Sequence, residues 1–371
     1  MFSENQKVSV RQLQILLILD IFGTGIITLP RRTAQAAGTD AWIAVLIGGI
    51  IMIAFSFVLT SLSERFPKKN FVEIIEHILS KPIGKLISIG FIIKILVTIG
   101  LQLRIFCEII RQTMLFQTPI AVTSILMILV AGYAAMKGYE CRARAGEVLI
   151  ILIFIPLILV YITAVFSTDF SNLLPIYMTN SKGLLKGAAI TAFSFQGLEF
   201  ILLAYPFLNR QKGNKREFAG TIAVITVLMT ITTVLTIGKF GDITVQSKLF
   251  PALQMMDTVD FPGAFIERQD ILIMWFWVVS AFASVSAGVY FTSFVFSEIL
   301  EKKQKRKLFL VAVLPILFFI SILPEDVATA YLLLGKVTLY GGGFYLFLLP
   351  TVLFILSMFQ KKGGIQNEKS S

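Results

Sequence analysis

Two short runs of residues could bind a ligand through broken backbone. The first is Asp20-Ile21-Phe22-Gly23-Thr24-Gly25-Ile26-Ile27-Thr28-Leu29-Pro30, in the middle of an apolar stretch. Each glycine weakens a continuous helix by roughly 1 kcal/mol and the proline by about 3 kcal/mol. An interruption here would free amides that attract a carboxylate and carbonyls that attract an ammonium or a cation. Gly23, Thr24, Gly25 and Ile26 are therefore candidate ligand-binding residues, although the same glycines also suit a small-residue packing surface. Asp20, one turn earlier, is a candidate proton or cation site, or else the partner of a lysine. The second run is Phe193-Ser194-Phe195-Gln196-Gly197-Leu198-Glu199. It sets one glycine, two polar residues and a carboxylate deep in an apolar segment, which makes Ser194, Phe195, Gln196, Gly197 and Glu199 the second candidate group.

Other polar residues also lie within apolar segments. At 100° per residue, Lys94, Arg104, Glu108 and Arg111 fall within about 100° of one another, and Arg104 and Glu108 can pair at i,i+4. Charged groups at membrane depth face the bundle interior, so this stripe is either a polar conduit or an ion pair locking neighbouring helices. Ser280, Ser284 and Gly288 share one helical face, suited to tight packing, with Ser284 also a possible hydroxyl ligand. Gly341-Gly342-Gly343 lacks the lysine and strand context of a phosphate loop and reads as packing or a hinge. With one histidine, His77, and two cysteines, Cys107 and Cys141, neither a metal cluster nor a nucleophile–base constellation has good candidates. No enzymatic activity, metal or cofactor is expected, and a disulfide framework is not expected either.

The elements that must position these residues are membrane-spanning helices. The chain has 371 residues, 56% of them hydrophobic and only 15% charged, with a mean hydropathy of +0.83. Soluble domains carry about a quarter charged residues, and apolar runs of roughly twenty residues are the span signature. A β-barrel would alternate instead. Such runs cover about 12–36, 41–62, 83–111, 119–136, 146–166, 186–208, 218–238, 270–298, 308–323 and 328–359. The fold class is all-α membrane protein with about ten spans, read as a single polytopic domain over 1–371. Residues 1–11 form a polar cytoplasmic lead-in rather than a removed signal peptide, and 360–371 form a cytoplasmic tail.

The net charge of +11 would suit nucleic acid, but the positive residues sit in short loops between spans. With both termini inside, 22 Lys and Arg fall on the cytoplasmic side, Arg142 among them, and nine outside. That asymmetry is the orientation rule for a bilayer, so the partner implied is lipid and not nucleic acid. Trp42, Trp275 and Trp277 fall near the outer ends of spans, as an aromatic belt would. The long outer connector 239–269 could cover a vestibule. The first and sixth spans, which carry the two candidate breaks, occupy corresponding places in a five-plus-five repeat. Interrupted helices at matching places are the strongest sequence pointer to a mid-membrane binding site.

The chain resembles the B subunit of endospore germinant receptors, a branch of the amino acid–polyamine–organocation transporter superfamily. The likeness extends over essentially the full length. It is carried by Gly23-Thr24-Gly25-Ile26-Ile27-Thr28-Leu29-Pro30-Arg31 and Asp40-Ala41-Trp42, by Ser194-Phe195-Gln196-Gly197-Leu198-Glu199, and by Arg104 with Glu108. Phe265-Ile266-Glu267-Arg268 and Leu323-Pro324-Glu325-Asp326 complete it. The resemblance implies a LeuT-like inverted repeat with broken first and sixth helices, in the inner membrane of a spore. It implies a subunit working with a larger A subunit and a lipoprotein C subunit, binding a small germinant such as an amino acid and signalling germination. Asp20, Arg104 and Glu108 would then serve coupling or form a conduit. A proton-coupled amino-acid permease is the alternative on the same fold.

Overall fold

A computed structural model of the chain describes residues 7–210, 212–257 and 270–359, with the backbone alone described for 22–25, 257, 270–274 and 276. The described residues form helices and no strand; one parallel bridge joins Val8 to Leu208. In chain order the helices are α1 (Val10–Ala37), α2 (Ala41–Arg65), α3 (Phe71–Ile78), α4 (Lys81–Thr113), α5 (Ile120–Met136), α6 (Tyr139–Phe166), α7 (Ser181–Phe193) and α8 (Phe200–Ala204). They continue with α9 (Lys215–Phe240), α10 (Asp242–Ser247), α11 (Pro251–Asp257), α12 (Asp270–Ile299), α13 (Arg306–Ile322), α14 (Val327–Val337) and α15 (Leu349–Phe359). Between α14 and α15, Thr338–Leu348 winds as a wide π-helix.

Among the described residues, six stretches are long and apolar enough to cross a membrane: 26–65, 81–113, 139–166, 215–240, 277–299 and 327–359, with Ile120–Met136 a shorter apolar helix. The first of these contains the corner between α1 and α2. There the buried Asp40 carboxylate accepts the amides of Tyr177 (2.8 Å) and Thr179 (2.9 Å), tying the α6–α7 loop to the corner. The 277–299 part of α12 is almost wholly enclosed, whereas α6 turns most of its surface outward. Val148, Ile151, Ile155, Ile158 and Ile162 form its exposed apolar face, as contact with hydrocarbon requires.

Small residues bring the central helices close. A β-carbon at Gly49 would lie 2.0 Å from Thr226 Cγ2 of α9, at Gly48 2.5 Å from the Ala188 carbonyl of α7, and at Gly288 2.5 Å from Ile99 Cγ2 of α4. Such contacts are how helices associate where water supplies no driving force.

Three expectations are corrected here. The interruption expected in the first span is absent, because α1 stays α-helical through Gly23, Gly25 and Pro30. Two glycines cost about 2 kcal/mol in a helix, less than several amides left unpaired without water, and Pro30, which has no N–H, removes a single helical hydrogen bond. The sixth span does break, between α7 and α8. Secondly, α6 starts at Tyr139 rather than near 146, so Arg142 lies inside a helix with its side chain buried. Its polar first turns hide that start from a hydropathy reading. Thirdly, Trp277 is a core residue at 1% exposure while Trp275 is 51% exposed. Two positions apart on a helix point about 200° apart, so both cannot face lipid.

Candidate functional site

The break in the sixth span is a series of tight turns over residues 194–199. The amides of Ser194, Phe195, Leu198 and Phe200 bond the third residue before each, at 2.9–3.2 Å. Gly197 sits at φ +102°, a conformation open to glycine and strained for any side chain. Its amide, lost to helical bonding, donates to Glu199 Oε2 at 2.9 Å. The local sequence therefore carries the acceptor that makes this break affordable without water, and α1 has no equivalent among its described residues.

Glu199 Oε1 pairs with Lys94 of α4, and both side chains are buried, at 0% and 5% exposure. A buried carboxylate is costly unless paired and hydrogen-bonded, and Glu199 has both partners. The stem of Lys94 lies against the π-helix of the last span, where a β-carbon at Gly341 would approach Lys94 Cγ to 3.0 Å. One at Gly342 would stand 3.7 Å from Gln196 Nε2. The glycine triplet thus leaves room for the break.

Across from the turn is α1. A β-carbon at Gly197 would lie 3.6 Å from Asp20 Cβ, so the two expected centres meet at Asp20–Ile21. The Asp20 carboxylate pairs with Arg142 of α6, whose guanidinium also donates to Ser286 Oγ and to the Ala283 carbonyl of α12, each at 3.3 Å. Asp20, Lys94, Thr98, Gln102, Gln196, Gly197, Glu199 and Ser284 enclose a small cavity of about 30 Å³. Two buried polar atoms there, Thr98 Oγ1 and Gln196 Oε1, have no protein partner, and the volume suits one water or a ligand's polar end.

A larger vestibule of about 450 Å³ shares Asp20, Gln102 and Gln196 with that cavity. Ser194, Phe193, Thr28, Arg31, Arg32 and Tyr331 also line it. Its size is that of a small-molecule pocket. It lies toward the side that the loop charges assign to the outside. On the opposite side an aromatic cluster fills the space between the helices. Tyr139 packs against Phe207, Tyr290 and Phe291 at 5.2–5.6 Å between ring centres, and Arg306 donates to the Tyr290 hydroxyl at 3.0 Å. Backbone bonds Val8 to Phe207 (2.8 Å) and Asn209 to Val8 (3.0 Å) close the chain beneath.

The structure thus brings Asp20, Gln196, Gly197, Glu199 and Ser284 to one cavity and Ser194 to the adjoining one. Phe195 and Ile26 are fully buried core residues that line neither. Gly23, Thr24 and Gly25 are helical, with side chains outside what is described. Arg104 and Glu108 stand apart, more than two turns along α4 from Lys94. Arg104 donates to the Glu325 carbonyl at 3.0 Å, and Glu108 accepts from Arg111 (2.6 Å) and Gln112 (3.0 Å), with Arg104 at 4.0 Å. Arg104 thereby ties α4 to the connector before α14, and Glu108 holds its partners along α4. Of the segments carrying the resemblance, 265–268 lies outside the described residues. Sequence reasoning missed Arg142, counted as a loop charge, and the role of Lys94 opposite Glu199. It also missed Thr98 and Gln102, which sit one and two turns above Lys94 on the same helix.

Residues 7–330 match the family described as spore germination protein. Spore germination protein YndE of Bacillus subtilis (strain 168) is 27% identical over 367 residues, covering 98% of this chain and 99% of the relative. Spore germination protein KB of the same organism is 27% identical over 379 residues, covering 99% and 98%. Among solved structures, the substrate-bound outward-open state of a Na+-coupled sialic acid symporter superposes with a TM-score of 0.66 at 15% identity, over 96% of this chain and 80% of that one. At that identity the likeness shows the transporter fold alone.

Proposed function

Since the chain belongs to the spore germination protein family, we propose that it is the transporter-fold subunit of a germinant receptor in the spore's inner membrane. On this reading it works with an A subunit and a C lipoprotein, and binds a small germinant, an amino acid, at mid-membrane. The observation that carries the proposal is the Gly197 turn. It is held open by Glu199 and Lys94, faces Asp20, and stands at the floor of a vestibule of about 450 Å³. Gln196 Oε1 and Thr98 Oγ1, buried without partners, are the groups that would receive a ligand's donors, with Ser194 and Ser284 beside them. Arg104 and Glu108 act as a structural tie in this reading, and Asp20 as the counter-charge that holds Arg142.

The test is thermal unfolding of the purified chain against each of the twenty common L-amino acids. At least one should raise the midpoint through binding to the folded state, and Gln196→Ala should abolish that shift. A flat response to the whole panel, with spores lacking the gene germinating normally on the same amino acids, would overturn the proposal. The same fold would also serve a second reading, a proton-coupled amino-acid permease. Proton-dependent uptake into proteoliposomes separates the two.

A further inference from the structure

The charged groups lining the vestibule are Asp20, Arg31 and Arg32. Asp20 is neutralised by its bond to Arg142. Arg31 donates Nε to the Gln246 carbonyl at 3.2 Å, and among the described residues no carboxylate lies within ion-pair distance of either guanidinium. Both arginines are only partly exposed. Two half-buried cations on one wall of a concave site, with low-dielectric helices around them, focus a positive potential into the opening. A guanidinium there suits a planar oxyanion, which it can hold with two parallel hydrogen bonds. The lining also includes Phe193, Leu249 and Leu332, apolar surface for the body of a small molecule.

We infer that Arg31 and Arg32 form an anion-selecting collar, so that the ligand reaching Gln196 is a small organic molecule bearing a carboxylate or similar oxyanion, held at its outer end by Arg32. This rests on the pocket reading above and adds the polarity of binding: oxyanion toward the outside, donor end toward Gln196 and Thr98. The ligand's anionic end is thereby placed on side chains near the end of α1 and not on its mid-helix amides, which are engaged in helix.

Charge-selective thiol modification tests it without knowing the ligand. Ala328 is exposed at the mouth of the vestibule on α14. In the full-length chain carrying Cys107→Ser, Cys141→Ser and Ala328→Cys, reconstituted in vesicles, the thiol is modified from outside by sulfonatoethyl and trimethylammonioethyl methanethiosulfonates. Each rate is normalised to the same reagent's rate with a free small thiol. The anionic reagent should be favoured. Arg32→Gln should lower the anion-to-cation ratio at least about fivefold, as loss of one nearby unit charge does at moderate salt, while Arg32→Lys keeps it within about twofold. Arg31→Gln gives the same readout should Arg32→Gln fail to accumulate. A ratio unmoved by either glutamine substitution overturns the collar and leaves the pocket standing. A thiol that neither reagent reaches from outside overturns the open vestibule and the inference with it.

Discussion

Removing the carboxylate of Glu199 should destabilise the protein through the cation it leaves behind. Glu199→Gln preserves shape and can still accept the Gly197 amide, now held by Glu199 Oε2 at 2.9 Å. It strands the Lys94 ammonium, 5% exposed, without a counter-charge. Breaking a buried pair from one side costs about 3–5 kcal/mol, while replacing both partners by neutral groups is often close to neutral. Lys94→Met leaves Glu199 with its amide donor but no cation, so it too should cost roughly 3 kcal/mol. The double substitution should recover most of either loss. At about 2 °C per kcal/mol for a large chain, the singles should melt some ~6–10 °C below the parent in detergent and the double within ~3 °C. The assay is a double-mutant cycle on thermal unfolding, followed by monodispersity in gel filtration. Additive losses in the double, or a Glu199→Gln protein melting with the parent, would refute the claim that the two charges are held by each other.

Three further outcomes follow from the same geometry. Arg142→Gln should destabilise the protein by a similar ~3–5 kcal/mol, and adding Asp20→Asn should restore thermal stability; a double no better than the single would mean that Asp20 has another partner. Gly197→Ala puts a side chain at φ +102° and should cost at least ~1 kcal/mol, read as a lower melting temperature, whereas Gly220→Ala, with open space around its β-carbon position, should be neutral or stabilising. For topology, Lys182→Cys should be labelled from outside and a reporter fused after Lys362 should be active inside; labelling of Lys182→Cys only after permeabilisation would sink the ten-span arrangement.

Much of the fold was legible because helix spans report themselves locally. The apolar runs at 41–62, 83–111 and 119–136 match α2, α4 and α5 to within three residues at each end, since burial in lipid is read residue by residue. The break at Gly197 was legible for a related reason, as glycine, polar neighbours and the carboxylate that caps it lie within a few residues. What failed was non-local. Whether Gly23 and Gly25 open a helix depends on what packs around α1, and the same glycine signal met a compensating acceptor in one span only. Lys94 and Glu199 lie 105 residues apart, and no periodicity links them, so Lys94 read as part of a stripe with Arg104. Arg142 read as a loop cation because the polar turns of Tyr139–Glu147 hide a helix whose charge is answered from α1. Trp277 was misplaced by counting residue type without helical phase.

The central claim is that a small germinant binds where Gln196 and Gly197 face Asp20. It meets its most direct test in the germination dose–response of spores carrying Gln196→Ala at parental protein abundance. Losing one or two ligand hydrogen bonds, about 1–2 kcal/mol, should move the half-maximal germinant concentration upward by roughly tenfold and leave germination by a germinant-independent trigger untouched. A dose–response superimposable on the parent's would contradict the account.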